Sequence, residues 1–153
     1  MKVAMQRMRG GLGRRGMAAV EFAIAASFLA VAMAGVYDFG RASWTRMQVI
    51  SAAHIGAAHA AANGFNANLI AGAVTSSSAL ATLAATPAPA TVCGCPNGGA
   101  GISYVTCGDT CADGAGASTY VRVNARASYS FTFSYPYVSN PLVLTATALS
   151  RIQ

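Results

Sequence analysis

The sequence predicts an α+β protein: a long N-terminal helix able to cross a membrane, a second helix, and a small disulfide-bonded antiparallel β-sheet at the C-terminus. Three observations carry this. Residues Phe22 to Tyr37 contain no charge, Tyr120 to Phe133 alternate apolar with polar residues, and all four cysteines (Cys93, Cys95, Cys107, Cys111) fall in one short stretch between them. The organisation implied is a basic leader at 1–16, a transmembrane helix with an exposed helical extension at 17–62, a second helix and an Ala/Thr/Pro linker at 63–91, and a cysteine-containing β domain at 92–153.

A chain of 153 residues has room for one modest domain and an anchor. Apolar residues make up 54% and charged residues 9%, a balance that suits a membrane or assembly protein better than a free soluble enzyme. The net charge of +6 would suggest a nucleic-acid partner if it lay on a folded face. It does not: Lys2, Arg7, Arg9, Arg14 and Arg15 precede residue 16, while Arg41, Arg46, Arg122, Arg126 and Arg151 stand against Glu21, Asp38, Asp109 and Asp113. The basicity belongs to the leader, and no nucleic-acid surface is expected.

Residues 1–16 (MKVAMQRMRGGLGRRG) are glycine-rich and aperiodic as well as basic, as a cytoplasmic targeting segment would be. Between Met17 and Tyr37 the lone charge is Glu21. At about 1.5 Å rise per residue, some twenty helical residues cross a hydrocarbon core of about 30 Å. Five cations before this segment and only Arg41 and Arg46 soon after it place the N-terminus in the cytoplasm, with Trp44 near the outer interface. Glu21 calls for an explanation, because a carboxylate near the start of an apolar helix costs about a few kcal/mol in lipid unless it is paired. The bland alternative is that it only reaches the headgroups.

The run RRG-MAAVEF, with small apolar residues following Phe22, resembles the type IV prepilin cleavage motif. In that family a peptidase cuts after the glycine and glutamate is the fifth residue of the mature chain, a spacing that Gly16 and Glu21 match. The Glu21-Phe22 pair together with YDFGRASWTRMQVISAAHIGAAHAA is more closely similar to the TadE-like pseudopilins of the tight-adherence (Flp/Tad) pilus system, and the strong part of this resemblance spans residues 14–62. One departure is Met17, larger than the small first mature residues common in type IV pilins. Major Flp pilins are much shorter, so the length favours a minor pilin or pseudopilin. The resemblance implies a non-catalytic structural protein, without cofactor, cleaved between Gly16 and Met17. The implied partners are a prepilin peptidase, other pilins, the Tad assembly platform and the membrane. The implied location is the bacterial inner membrane, in a single pass with the C-terminal domain periplasmic or carried into a pilus.

The motif also has a physical logic. Cleavage after Gly16 would create an ammonium group on Met17, and staggered helices packed side by side could bring it near Glu21 of a neighbour, each charge neutralising the other. The same cut removes five cations that oppose extraction from the bilayer. A rival reading takes Ala32-Met33-Ala34 before Gly35 as a signal-peptidase site that releases a freely secreted protein. The charge at Glu21 and the helical sequence running through Gly35 both argue against it.

Helical sequence continues from Tyr37 to Ala62, with Met47, Ile50, His54 and Ala57 or Ala58 at three- and four-residue intervals, and Asn63-Gly64 supplies the stop. Ala26, Ala30 and Ala34 form one small-residue ridge, and Ala52, Gly56 and Ala60 another; alanine is so frequent that chance explains either as well as packing does. His54 and His59 are five apart and do not share a face as metal ligands at i and i+4 would, so they read as surface or packing residues. A second helix is expected within Asn66 to Ala85, where Leu69, Ile70, Ala73, Leu80 and Leu83 recur around a break at Ser76 to Ser78, and TPAPAT (86–91) reads as an extended linker.

In Tyr120 to Phe133 the period falls to two. Val121, Val123, Ala125, Ala127, Tyr129, Phe131 and Phe133 point one way, with Ile102 to Cys107 and Leu142 to Ile152 as expected partner strands. So small a sheet has little core, and two disulfides, each worth about 2–4 kcal/mol, would compensate. The cysteines favour disulfides over zinc, because C-x-C and C-x-x-x-C with no nearby histidine suit structural zinc poorly and an exported location favours oxidation. A hairpin between 92–95 and 103–107 would nest Cys95 with Cys107 inside Cys93 with Cys111, and the other two pairings stay open. Asp109 and Asp113 flank Cys111 in CGDTCADG, where a solvated turn is the expectation over a calcium site. Nothing in the sequence assembles a nucleophile motif, a phosphate loop or paired carboxylates, so neither metal nor enzymatic activity is expected.

Overall fold

The computed structural model describes residues 15–98 and 101–152; the expected leader lies almost wholly outside them. The chain divides after Gly40 into two compact units. Two helices and four strands follow in order: α1 (Arg15–Asn63), α2 (Ala67–Ser76), β1 (Ala90–Asn97), β2 (Gly101–Tyr104), β3 (Ser118–Tyr129) and β4 (Leu142–Arg151). The architecture is therefore α+β, with a long N-terminal apolar helix, a short second helix, one antiparallel sheet and two disulfides.

Helix α1 contains no proline and is dominated by alanine, so nothing interrupts it over 49 residues. It stops where the sequence says it should. Asn63 Nδ2 donates to the His59 carbonyl at 3.1 Å, and Gly64 takes φ 77°, the left-handed conformation that closes a helix C-terminus and that glycine adopts without a Cβ penalty. Asn66 then caps α2, its side-chain oxygen accepting from the Asn68 and Leu69 N–H groups at 3.2 Å each. Helix α2 is shorter than the periodicity of residues 66–85 suggests. Ser76 and Ser77 donate their hydroxyls back to the Ala73 and Val74 carbonyls, and Ser78 turns away to donate to Gln48 Oε1 at 3.0 Å. Leu80 and Leu83 reach the core from the irregular segment that follows.

The sheet order is β2-β1-β3-β4, antiparallel throughout. β3 buries Val121, Val123, Ala125 and Ala127 on the expected face, and β4 pairs with it from Tyr120↔Arg151 to Tyr129↔Leu142. Three expectations are corrected here. The end of the linker is itself a strand, β1, which inserts between β2 and β3, so the 102–107 region pairs with β1 and not with β3. β3 ends at Tyr129, short of Phe133, because its next partner in register is Pro141, which has no N–H for the ladder. Beyond that point Asn140 substitutes a side chain for a strand: Phe131 N donates to Asn140 Oδ1 at 3.1 Å and Asn140 Nδ2 donates to the Phe131 carbonyl at 3.5 Å.

The third correction concerns the cysteines, which are paired Cys93 with Cys107 and Cys95 with Cys111, crossed where nesting was expected. The β1–β2 register places Cys95 opposite Ser103, and Val105 N donates to the Cys93 carbonyl at 3.1 Å. Two residues further on, Cys107 is thus closer to Cys93 than to Cys95. A turn from Thr106 to Asp109 then folds the chain back, leaving Cys95 to Cys111.

The core of the unit that begins at Arg41 lies between α1, α2 and β3. The second small-residue ridge is part of it: Ala52, Gly56 and Ala60 are all buried. A Cβ on Gly56 would lie 2.5 Å from Val74 Cγ2 and 2.9 Å from Val123 Cγ1, so α2 and β3 meet α1 where a side chain is missing.

Candidate functional site

The candidate site is the start of α1, residues 16–40. Gly16 is half-buried, and Met17, Glu21 and Phe22 are exposed in the first turns of the helix. Met17 and Glu21 stand at i and i+4, one above the other on one face. Glu21 has no hydrogen bond or ion pair among the described residues and is the lone acid from Gly16 to Tyr37.

Around it the helix is apolar on every side. Val20, Phe22, Ile24, Phe28, Leu29, Val31, Met33 and Val36 are all exposed, Phe28 by 80%. A soluble helix buries such residues against a core, and each would gain roughly 1.5–3 kcal/mol on leaving water. The most apolar window is long enough to cross a bilayer and has none of its residues buried. The one polar side chain in its middle, Ser27, is satisfied within the helix by donating to the Ala23 carbonyl at 2.8 Å. The first small-residue ridge differs from the second: Ala30 is exposed and Ala26 and Ala34 are half-buried.

The structure brings all four cysteines into two bridges in the other unit and leaves none free. Asp109 Oδ2 accepts from Thr106 N and Asp113 Oδ1 from Ala115 N, both at 3.0 Å, so each carboxylate closes its own turn. His54 is exposed and His59 half-buried, on different faces of α1. Among the described residues no group of three or more His, Cys, Asp or Glu is placed to hold a metal ion. Sequence reasoning passed over Asp38, which is fully buried and engaged by a partner, and over the aromatic loop after β3. The signal for the loop was present as a run of five aromatics between Tyr129 and Tyr137.

These features define a class: a protein with one N-terminal helix suited to a single membrane pass and a small disulfide-bonded domain of its own. The family described as TadE-like protein matches residues 16–58, within a few residues of the 14–62 segment that carries the resemblance in sequence, so this segment of the chain is similar to that family. No curated protein and no solved structure gives a match. The family suggests a pilin-like protein related to the Tad pilus, interacting with other pilus components.

Proposed function

We propose that the chain is a TadE-like pseudopilin or minor pilin, cleaved by a prepilin peptidase between Gly16 and Met17 and acting as a non-catalytic subunit in the assembly of Flp/Tad pili. The observation that carries this reading is a coincidence of boundaries. The TadE-like match begins at Gly16, the helix is apolar all round immediately after it, and the lone acid of that stretch is the fifth residue beyond the glycine.

Each residue then has a role. Gly16 offers the peptidase a scissile position without a side chain, and cleavage leaves an ammonium group on Met17. Glu21, with no partner among the described residues, receives the ammonium group of a neighbouring subunit, and Phe22 and the apolar residues beyond it pack in lipid or against other pilin helices. The leader stays in the cytoplasm, the helix crosses the bacterial inner membrane once, and residues 41–153 fold in the periplasm, where the disulfides form. Release by signal peptidase after Ala34 is disfavoured by α1, which runs through Gly35 without a break.

The test is the mass and N-terminal sequence of the mature protein. Met17 at the N-terminus is the expected result. Gly16→Val should abolish processing and leave the longer precursor in the membrane. A mature chain that begins at Gly35, or unchanged cleavage of the Gly16 variant, would overturn the assignment.

A further inference from the structure

The loop between β3 and β4 is built differently from the rest of the unit that holds it. No charged residue occurs from Ala127 to Ser150, and the loop itself reads SFTFSYPYVSNP. Its base is rigid: Phe131 is buried, with edge-on ring contacts to Tyr129 (centroids 5.2 Å apart) and Tyr135 (5.6 Å), and Asn140 brackets its backbone. Its tip is the reverse. Tyr137 is fully exposed at φ 68°, and Phe133 is half-exposed. An ordered tyrosine held out in water, beside a phenylalanine that is still half-exposed although it has a contact within the protein, signals a surface that meets something.

Contacts within the unit Arg41–Gln153 set the level of the loop. Gly56 of α1 faces both Val74 of α2 and Val123 of β3. From there the chain after α2 runs toward the N-terminal end of the unit, since Ser78 bonds Gln48, about two turns before Gly56. Four residues on, Thr82 donates to the Ser128 carbonyl at 3.0 Å, five residues beyond Val123 in β3. β3 therefore delivers its loop to the end of the unit where the chain enters, the end that also exposes Trp44. The disulfides lie at the opposite end, where Gly94 pairs with Ser118 at the start of β3.

We infer that the β3–β4 loop is a second membrane contact, with Phe133 and Tyr137 seated in the outer-leaflet interface. The inference rests on the reading of residues 16–40 as the anchor. Tyrosine and phenylalanine on an uncharged loop fit the boundary between headgroups and acyl chains, where an aromatic body is buried and a hydroxyl stays wet. The tether holds the bilayer at this end of the unit at all times, so even weak insertion is favoured by a high effective concentration. The contact would restrict the tilt of the domain over the bilayer and would have to break when a subunit is extracted.

The test uses the full-length chain reconstituted in phosphatidylcholine vesicles, with Trp44→Phe removing the native indole. Two single-tryptophan reporters are compared, Phe28→Trp in the apolar segment and Tyr137→Trp at the loop tip. Lipid brominated along the acyl chains should quench Phe28→Trp, and lipid brominated near the headgroup should quench Tyr137→Trp on the order of twofold while aqueous iodide loses access to it. If Phe28→Trp is quenched but Tyr137→Trp is untouched by lipid and open to iodide, the anchor stands and the loop faces water or another protein, which overturns the inference. If neither reporter is quenched, the anchor reading falls and takes the inference with it.

Discussion

One helix serves two solvents. From Val20 to Val36 it exposes phenylalanine, isoleucine, leucine and valine on every face; from Arg41 onward it turns alanine, Gly56 and Val49 toward a packed core and keeps Arg46 and His54 outside. Both stretches are alanine-rich and both are helical, so propensity does not separate them. What separates them is whether the small residues meet a core. Bulky side chains point outward in both, Trp44, Met47, Ile50 and Ile55 included, but only in the second do the small residues line a contact, with its bulk supplied by α2 and β3.

The sharpest way to break the comparison is to unfold one region without touching the other. Replacing all four cysteines with serine should cost the larger part of the stability of residues 41–153, at about 2–4 kcal/mol per bridge, while membrane association is unchanged. Thermal melts and carbonate extraction of membranes read the two effects separately. The crossed pairing is checked by the same chemistry: Cys93→Ser with Cys107→Ser should leave no alkylatable thiol, whereas Cys93→Ser with Cys111→Ser, the pair expected from nesting, should leave a mispaired or reduced remainder.

The converse experiment is Phe28→Arg. An arginine at the middle of the apolar stretch costs about 2.5–3.5 kcal/mol on insertion, so the membrane-bound fraction should fall while the melting of the folded unit stays put. A melt that shifted with it would mean that Phe28 is part of that core. Gly56→Ala should be smaller and of the opposite kind. A methyl group forced against Val74 and Val123 costs about 1–3 kcal/mol, lowering the melting temperature without altering insertion. Smallest in stability is Glu21→Ala, which removes an exposed carboxylate with no partner among the described residues and should leave folding, insertion and cleavage unchanged. Its expected effect is on pilus assembly alone, and normal pili from that variant would remove the proposed role of Glu21.

Features that depend on neighbours in sequence were legible in advance. The apolar stretch, the stop at Asn63-Gly64, the start of a second helix near Asn66 and the buried face of β3 each follow from a local pattern, a cap or a period, and each is where the pattern put it. The cleavage site proposed at Gly16 and the role proposed for Glu21 rest on a motif over a few residues, which is read without the fold and is tested by the mature N-terminus and by pilus assembly. Chain pairing belongs to the other kind. TPAPAT looked like a linker because two prolines dominate it, yet the strand that starts at Ala90 pairs on one side with β2, 4 to 10 residues away, and on the other with β3, 24 to 32 residues away. Tertiary structure alone decided that β1 lies between β2 and β3, that Cys107 meets Cys93 before Cys95, and that Asn140 holds Phe131. A disulfide or a strand pair is chosen by which residues the rest of the fold brings within reach, and composition and spacing leave several choices nearly equal in energy. The Ala52-Gly56-Ala60 ridge makes the same point in miniature: the sequence set the gap, and only the arrival of Val74 and Val123 from elsewhere in the chain made it a contact.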